Sequence, residues 1–250
     1  MSEITVAEPD TESRPKRSLG VRIVRGIAWA SLIAGFLILG FVVQQLFVTS
    51  WFAERNQEAL EGEAREHFTS VEVTAVPITD VPGLSDPDAS ADPSAPVPLL
   101  LVETPPEEHE AFAIIRAPVI EALHEGWTVV SGVSRSDLRN GAGHMPHTPL
   151  PGQPGNAVIS GHRTTYGAPF HDLDKLSAGD RLEVETAIGV HVYEVRESLV
   201  VQPTDIWVTA PREGAWLTLT TCNPKFSSRE RLVVFAELVE GPNAGVILSV

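Results

Sequence analysis

The chain has 250 residues, which is enough for one large domain or for a smaller domain with additional segments. Its formal net charge is −15, and this acidity argues against binding to nucleic acid through neutralisation of phosphates. Cys222 is the only cysteine, so the sequence can form no internal disulfide and no metal site built on several thiolates.

A long apolar segment lies near the N-terminus, at residues 26–48. Between Ile27 and Val43 it holds no charged or strongly polar side chain, whereas a buried helix of this length normally keeps a polar face. A helix of about twenty residues crosses the hydrocarbon part of a bilayer. Basic residues precede the segment and acidic residues follow it: Lys16, Arg17, Arg22 and Arg25 before, Glu54, Glu58 and Glu61 after. The positive-inside rule therefore predicts a cytoplasmic tail at residues 1–25 and an extracytoplasmic remainder.

A cleaved signal peptide is the alternative interpretation of this segment. The apolar run is longer than a usual signal core, and no clean A-x-A cleavage site follows it. An uncleaved signal anchor is favoured, which predicts a single-pass protein of the cell membrane.

Residues 49–110 are predicted to form an acidic, Pro-rich extracytoplasmic helix and linker. From Ala53 to Glu110 there are fourteen acidic residues against Arg55 and Arg65. Ala53 to Phe68 has the composition of a helix. Pro77 to Pro106 contains eight prolines and too few apolar side chains to offset the cost of chain ordering, which predicts an extended tether.

Residues 111–250 are predicted to form a mainly β domain. Short apolar runs such as AIIRAPVI, WTVVSGV and NAVISGH read as strands, and clusters of glycine and proline such as PLPGQPG separate them. Helical patterns are limited to residues 135–139 and 172–176. About 140 residues with so many closely spaced strands indicate a closed or nearly closed β-barrel.

Cys222 ends one of these strands, LTLTTC, and is followed at once by Asn223 and Pro224. Reactive groups on a rigid scaffold are often exposed at strand ends, whereas a buried structural cysteine more often occupies a strand's middle. A thiol that acts as a nucleophile needs a base or a cation nearby. If the loop after Pro224 turns the chain back, the strand that begins at Arg231 pairs with LTLTTC, and Arg231 then faces Cys222.

Eight histidines are available as the base, and their places in the sequence leave four candidates: His144, His147, His162 and His171. His162 follows the strand AVISGH directly after Gly161, where the backbone can approach another element closely. Other reaction types fit less well, because the sequence has no phosphate-binding loop, no G-x-S-x-G turn and no H-E-x-x-H metal motif.

Three strings together resemble the sortase family. They are TLTTC ending at Cys222, SGHRTTYGAPFHDLDKL from Ser160, and the strand that opens at Arg231. The string GAGHMPHTPLPGQPGN before the histidine makes the sequence similar to the class E sortases of actinobacteria. The resemblance covers about residues 111–239 and implies a sortase-type closed barrel of about eight strands with short helices.

The resemblance implies a cysteine transpeptidase acting on C-terminal sorting signals of the LAXTG or LPXTG type. Cys222 would attack the Thr–Gly peptide bond and form a thioester, His162 would act as general acid and base, and Arg231 would hold the substrate and the oxyanion. Thr220 and Thr221 are expected to line the groove. Met145 is expected to contact the sorting signal. Because class E sequences tend to have an aromatic residue at this place, the residue preferred at the second position of the signal stays open.

The resemblance also implies the partners. They are secreted proteins that carry the signal, the amine of a lipid-linked peptidoglycan precursor, and the membrane; no cofactor and no metal are expected. Two alternatives remain open: a secreted cysteine hydrolase that uses water as acceptor, and a barrel that only binds.

Overall fold

The computed structural model describes residues 19–44, 49–78 and 97–249, which fall into two compact units divided after Gln44. In the first unit, α1 (Leu19–Val43) carries Arg22 and Arg25 near its start and has no charged residue from Gly26 to Val43. It is long and apolar enough to cross a membrane, and no other helix in the described ranges is. The predicted tail at residues 1–18 and the end of the predicted span at residues 45–48 lie outside the described residues.

The second unit is built on an eight-stranded closed barrel, which confirms the predicted fold class. Around the barrel the strand order is β10-β8-β7-β3-β4-β5-β6-β9. Neighbouring strands are antiparallel except in two pairs, β4 with β5 and β6 with β9. The barrel strands are β3 (Ala111–Arg116), β4 (Trp127–Ser131), β5 (Ala142–His144), β6 (Gly155–Ser160), β7 (Arg181–Thr186), β8 (Gly189–Val201), β9 (Ala215–Asn223) and β10 (Glu230–Glu240).

Short helices connect or close the strands. They are α3 (Arg135–Asn140), α4 (Ala244–Ile247) and the 3-10 turns Glu121–Leu123, Leu173–Lys175 and Ile206–Thr209. The start of α3 is fixed by a capping box, in which Ser134 and Asp137 each accept a hydrogen bond from the other's backbone N–H.

Alternation along the strands divides the barrel into an inner and an outer face. On β9, Leu217 and Leu219 belong to the main buried cluster inside the barrel. On β10, Val233 and Phe235 belong to a separate cluster with Trp216 of β9, on the outer face. On β9 the even-numbered residues therefore face outward, with the parity of Trp216. On β10 the odd-numbered residues face outward, with the parity of Phe235.

Helix α2 (Thr49–Ser70) packs against the barrel. Its buried Ala64 contacts a small cluster with Ala111, Ile114 and Val130 of β3 and β4. The side chain of Gln57 accepts a hydrogen bond from Thr128 N at 2.8 Å and donates one to Asn140 O at 2.8 Å. Such contacts attach this acidic helix to the barrel through both apolar burial and hydrogen bonds.

The predicted tether differs from the structure at its two ends. Pro77 ends strand β1 (Val73–Pro77), which pairs with β2 (Leu99–Glu103) in a two-stranded antiparallel sheet. Leu100 is buried in the main core, and Leu101 exchanges two hydrogen bonds with the side chain of Asn243. The apolar run LLLV supplies enough burial to order this part in spite of the prolines around it. Residues 79–96 lie outside the described residues.

Candidate active site

Cys222 and Arg231 are paired directly across two neighbouring strands. The antiparallel register of β9 and β10 sets Arg231 opposite Cys222, as the sequence suggested. Side chains directly opposite each other in such a pair have Cβ atoms about 5 Å apart and lie on the same face. Both residues are partly exposed, and both share the parity of the outer-face cluster. The thiol and the guanidinium therefore lie together on the outside of the barrel, at one end of these strands.

The loop that carries His162 is attached to the same strand end. β6 runs parallel to β9 with Ser160 beside Thr220, and the next backbone N–H, of Gly161, donates to Thr220 O at 3.1 Å. The hydroxyl of Thr221 donates to Gly161 O at 2.7 Å. Gly161 is therefore bonded to β9 through both its N–H and its C=O, and His162 follows it as the first residue of the loop.

Gly161 also allows a close approach that any side chain would prevent. A Cβ at this position would lie 2.7 Å from the ring of Phe170, which is fully buried. Phe170 in turn donates its backbone N–H to His162 O at 3.1 Å, so the loop closes back on the histidine. This agrees with the expectation from the sequence that Gly161 permits close backbone contact.

Arg163 is a second arginine at this site, and it is buried. Its Nη1 donates to Cys222 O at 3.2 Å and to Asn223 Oδ1 at 2.6 Å, and its Nη2 pairs with Asp174 at 3.1 Å. A guanidinium with several donors in a fixed plane is well suited to join loops in this way. Arg163 therefore links the histidine loop to the backbone of the nucleophile strand.

A charge cluster at Asp172 makes a second link between the same two loops. Asp172 accepts hydrogen bonds from Lys175 at 2.8 Å and from Lys225 at 3.0 Å. These bonds, that of Lys175 first, lower the pKa of Asp172 to about 2. Lys225 belongs to the loop after Cys222, so this ion pair also holds the segment next to the thiol.

His162 is partly buried, and burial is the main cause that lowers its pKa. The charge of Arg139, at the end of α3, lowers it further. The ring of Tyr166 lies 5.1 Å from that of His162 between centroids. An imidazole in this setting favours the neutral form, and a neutral imidazole can accept a proton, which is what a general base must do.

Arg231 is engaged with its own loop. Its Nη1 donates to Ser228 O at 3.0 Å and to Glu230 O at 2.9 Å. A guanidinium has five N–H donors, so other donors remain for an acceptor beside Cys222. The thiol and the guanidinium thus lie side by side on paired strands, and the loop of His162 begins beside the same strand end.

The three residues expected to bind substrate are placed differently. Thr220 is partly exposed and has the outward parity of Cys222, so it lies on the same face as the thiol. Thr221 is 3% exposed, has the inward parity of Leu219, and uses its hydroxyl to bond Gly161. Thr221 therefore points away from the face that carries the thiol, and its hydroxyl bonds the start of the His162 loop. Met145 is half-buried in the loop after β5, where its N–H donates to Val158 O.

Two of the remaining candidate histidines, His144 and His171, make structural contacts. His144 is buried, donates from Nε2 to Pro149 O at 2.9 Å and packs edge-on against Phe112. His171 lies in the loop of His162, and its Nδ1–H donates to Arg163 O at 2.7 Å. His147 borders a cavity of about 430 Å³ at the start of β6, beside Gly155 and Asn156. Among the described residues, no group of three or more His, Cys, Asp or Glu side chains is placed to hold a metal ion.

The sequence interpretation missed three residues at this site: Arg163, Tyr166 and Arg139. The first two lie in the string SGHRTTYG, which drew attention only to its histidine. Nothing in the sequence links Arg139 to His162, because only the packing of α3 brings Arg139 against Tyr166, beside the histidine.

Comparisons with known proteins give one consistent family. The model of the Sortase domain matches residues 119–239. Sortase SrtE1 of Streptomyces coelicolor is 31% identical over 150 residues, which are 54% of this chain and 42% of that protein. Sortase SrtE2 of the same organism is 33% identical over 136 residues, covering 48% of this chain and 54% of that protein. The chain thus spans about half the length of these curated relatives.

A solved structure covers the barrel more completely. Sortase E from Streptomyces avermitilis is 34% identical and superposes with a TM-score of 0.50, over 55% of this chain and 94% of the solved one. The SrtF sortase from Corynebacterium diphtheriae is 29% identical with a TM-score of 0.51, over 54% and 87% of the two chains.

Proposed function

This chain belongs to the sortase family, and on that premise we propose that it is a cysteine transpeptidase of the class E type. Its substrate would be a secreted protein with a C-terminal sorting signal of the LAXTG or LPXTG type. The observation that carries the proposal is the placement of Cys222 opposite Arg231, with the loop of His162 bonded to the same strand end.

In the first half-reaction, neutral His162 accepts the proton of the Cys222 thiol, and the resulting thiolate attacks the carbonyl carbon of the signal's threonine. The carbonyl oxygen becomes an oxyanion, and the free donors of Arg231 stabilise it. Collapse of this intermediate breaks the bond to glycine, and the imidazolium of His162 donates its proton to the departing amine. The products are a thioester on Cys222 and the free C-terminal fragment.

In the second half-reaction, an amine replaces the thiol. Neutral His162 accepts a proton from the incoming amine as it attacks the thioester carbonyl, and Cys222 leaves as a thiolate. The result is a new amide bond and the regenerated enzyme. We propose that the amine belongs to a lipid-linked peptidoglycan precursor, the acceptor that the family relationship suggests.

The proposed topology has residues 1–25 in the cytoplasm, residues 26–48 in the membrane, residues 49–110 as an acidic connecting segment, and residues 111–250 as the catalytic barrel outside. The charge distribution on the two sides of the apolar span supports this orientation. A substrate that is itself exported would then meet the thiol on the outer side of the membrane.

The test is acyl transfer by the full chain in detergent micelles. Peptides with L-A-x-T-G and L-P-x-T-G sequences are incubated with a glycine-based amine, and products and protein are analysed by mass spectrometry. We expect the ligated peptide and a thioester adduct that is absent in Cys222→Ala. Release of the free acid without ligation would instead indicate a hydrolase, and the absence of any Cys222 adduct would refute the reaction itself.

A further inference from the structure

The loop after His162 contains an unusual backbone conformation. Tyr166 has a φ of 54° and Ala168 a φ of 45°, on either side of Gly167 with 76°. This left-handed region is costly for residues with a Cβ, and such residues cluster at functional sites. Hydrogen bonds from Ala168 N to Thr165 O and from His171 N to Ala168 O fix the turn. The tyrosine is therefore held in a conformation that its own backbone disfavours.

The side chain of Tyr166 occupies the space between His162 and α3. Its ring centroid is 5.1 Å from that of His162, with the planes tilted by 40°. The guanidinium carbon of Arg139 lies 5.6 Å from the same ring centroid, within the range of a cation–π contact. The aromatic ring thus contacts both the imidazole and a permanent positive charge.

The backbone position of Arg139 is set by the helix α3, which is fixed at both ends. Arg139 lies in the last turn of α3, where a cation interacts favourably with the free carbonyls of the helix end. The helix is fixed at its start by Ser134 and by Asp137, which is 3% exposed and also accepts a hydrogen bond from His109 at 2.5 Å. Gln57 of α2 binds the carbonyl of Asn140 at its end.

We propose that Tyr166 and Arg139 are positioning residues for His162: the ring of Tyr166 sets the orientation of the imidazole, and Arg139 holds that ring and disfavours a second positive charge beside it. The proposal rests on the proposed function only in naming His162 as the acid and base. The contact itself can be tested without any turnover.

The charged groups around His162 agree with this assignment. Arg139 is the charge that lowers the pKa of His162, after burial. Arg163 follows His162 in the chain, but its guanidinium is paired with Asp174 and bonded to Cys222 O. Cys222 and Arg231 end the strands next to the loop. A neutral imidazole leaves the charge of Arg231 available to the substrate, and protonation becomes favourable once a thiolate or an oxyanion forms nearby.

The first arm of the test separates the ring from the backbone. Tyr166→Gly removes the ring but suits the left-handed conformation, so it should fold at least as well as the wild type. We expect kcat to fall roughly 10-fold to 100-fold from misorientation of the base, with KM for the signal peptide little changed. Tyr166→Phe keeps the ring and should restore most of the rate. A wild-type kcat in Tyr166→Gly would overturn the proposal.

The second arm concerns the charge. Arg139→Gln should raise the pKa of His162 and move the acid limb of the rate profile in the same direction, whereas Arg139→Lys should keep most of the effect. Arg135→Gln is the matched control, because Arg135 is an exposed arginine on the same helix. Equal shifts for Arg139→Gln and Arg135→Gln would overturn the role of Arg139.

The third arm uses no substrate. In full-length protein with ¹³C-labelled histidine, the Cε1–H resonance of His162 is assigned by its absence in His162→Gln and followed through a pH titration. We expect Tyr166→Gly to remove the ring-current shift on this resonance, while the resonances of the buried His144 and His191 report that the barrel is intact. An unchanged His162 resonance refutes the contact. Failure of Cys222-dependent transfer in the wild type would refute the proposed reaction instead, and this arm would still decide whether the contact exists.

Discussion

Replacing Arg163 by methionine should destabilise the protein by several kcal/mol, because the guanidinium is 5% exposed and joins two loops. The change removes the bonds to Cys222 O at 3.2 Å and to Asn223 Oδ1 at 2.6 Å. Hydrogen bonds from a charged group contribute about 1.5 kcal/mol or more each, which gives about 3 kcal/mol. The pair with half-exposed Asp174 adds at most about 1 kcal/mol. The contact with His171 O, at 3.5 Å, is too long to count.

The assay is a urea titration of the full chain in micelles, followed by tryptophan fluorescence, with the transfer rate measured in parallel. Arg181→Met is the matched control, because Arg181 pairs with Glu240 at 2.7 Å while both side chains are more than half exposed. That exposed pair should contribute less than about 1 kcal/mol. The reasoning is refuted if Arg163→Met and Arg181→Met lose the same stability. It is also refuted if Arg163→Met transfers peptide at the wild-type rate.

Three further predictions concern other parts of the barrel. Thr221→Val keeps the shape of the side chain but leaves Gly161 O without its 2.7 Å partner, so it should lower the free energy of unfolding in urea by about 1–3 kcal/mol and slow transfer. Thr220→Val changes an outward-facing, partly exposed residue and should leave stability nearly unchanged. Gly152→Ala should prevent folding to the native barrel, visible as lost near-UV circular dichroism, because its φ is 81° and a Cβ would fall 2.1 Å from the ring of His191. Burial raises the pKa of Glu103 from 4.5 to about 6, so its stabilising contribution is complete below pH 4.5 and is lost as pH rises through 6. Across that interval the free energy of unfolding of Glu103→Gln should therefore change with pH by about 2 kcal/mol less than that of the wild type. Identical curves of stability against pH for the two proteins would contradict this.

Local patterns were enough to predict the larger features of this protein. The uncharged run from Ile27 to Val43 predicted α1, because the length and polarity of one helix are properties of consecutive residues. The alternating strands separated by glycine and proline predicted the barrel for the same reason. The pairing of Cys222 with Arg231 also followed from the sequence, since a hairpin register depends on the residues between its two strands.

Contacts between distant segments could be decided only by the tertiary structure. Thr221 adjoins the nucleophile in sequence, but the twofold alternation of β9 turns it inward, and which face is inner depends on how eight strands close. The sequence predicted residues 99–103 as part of the tether, whereas in the structure Leu100 is buried in the core. Arg139 reaches Tyr166 only because α3 is fixed between the barrel and α2. The sequence by itself determined which groups could do the chemistry. The packing of the loops determined which side chains hold them in place, because that choice depends on burial and on partners far along the chain.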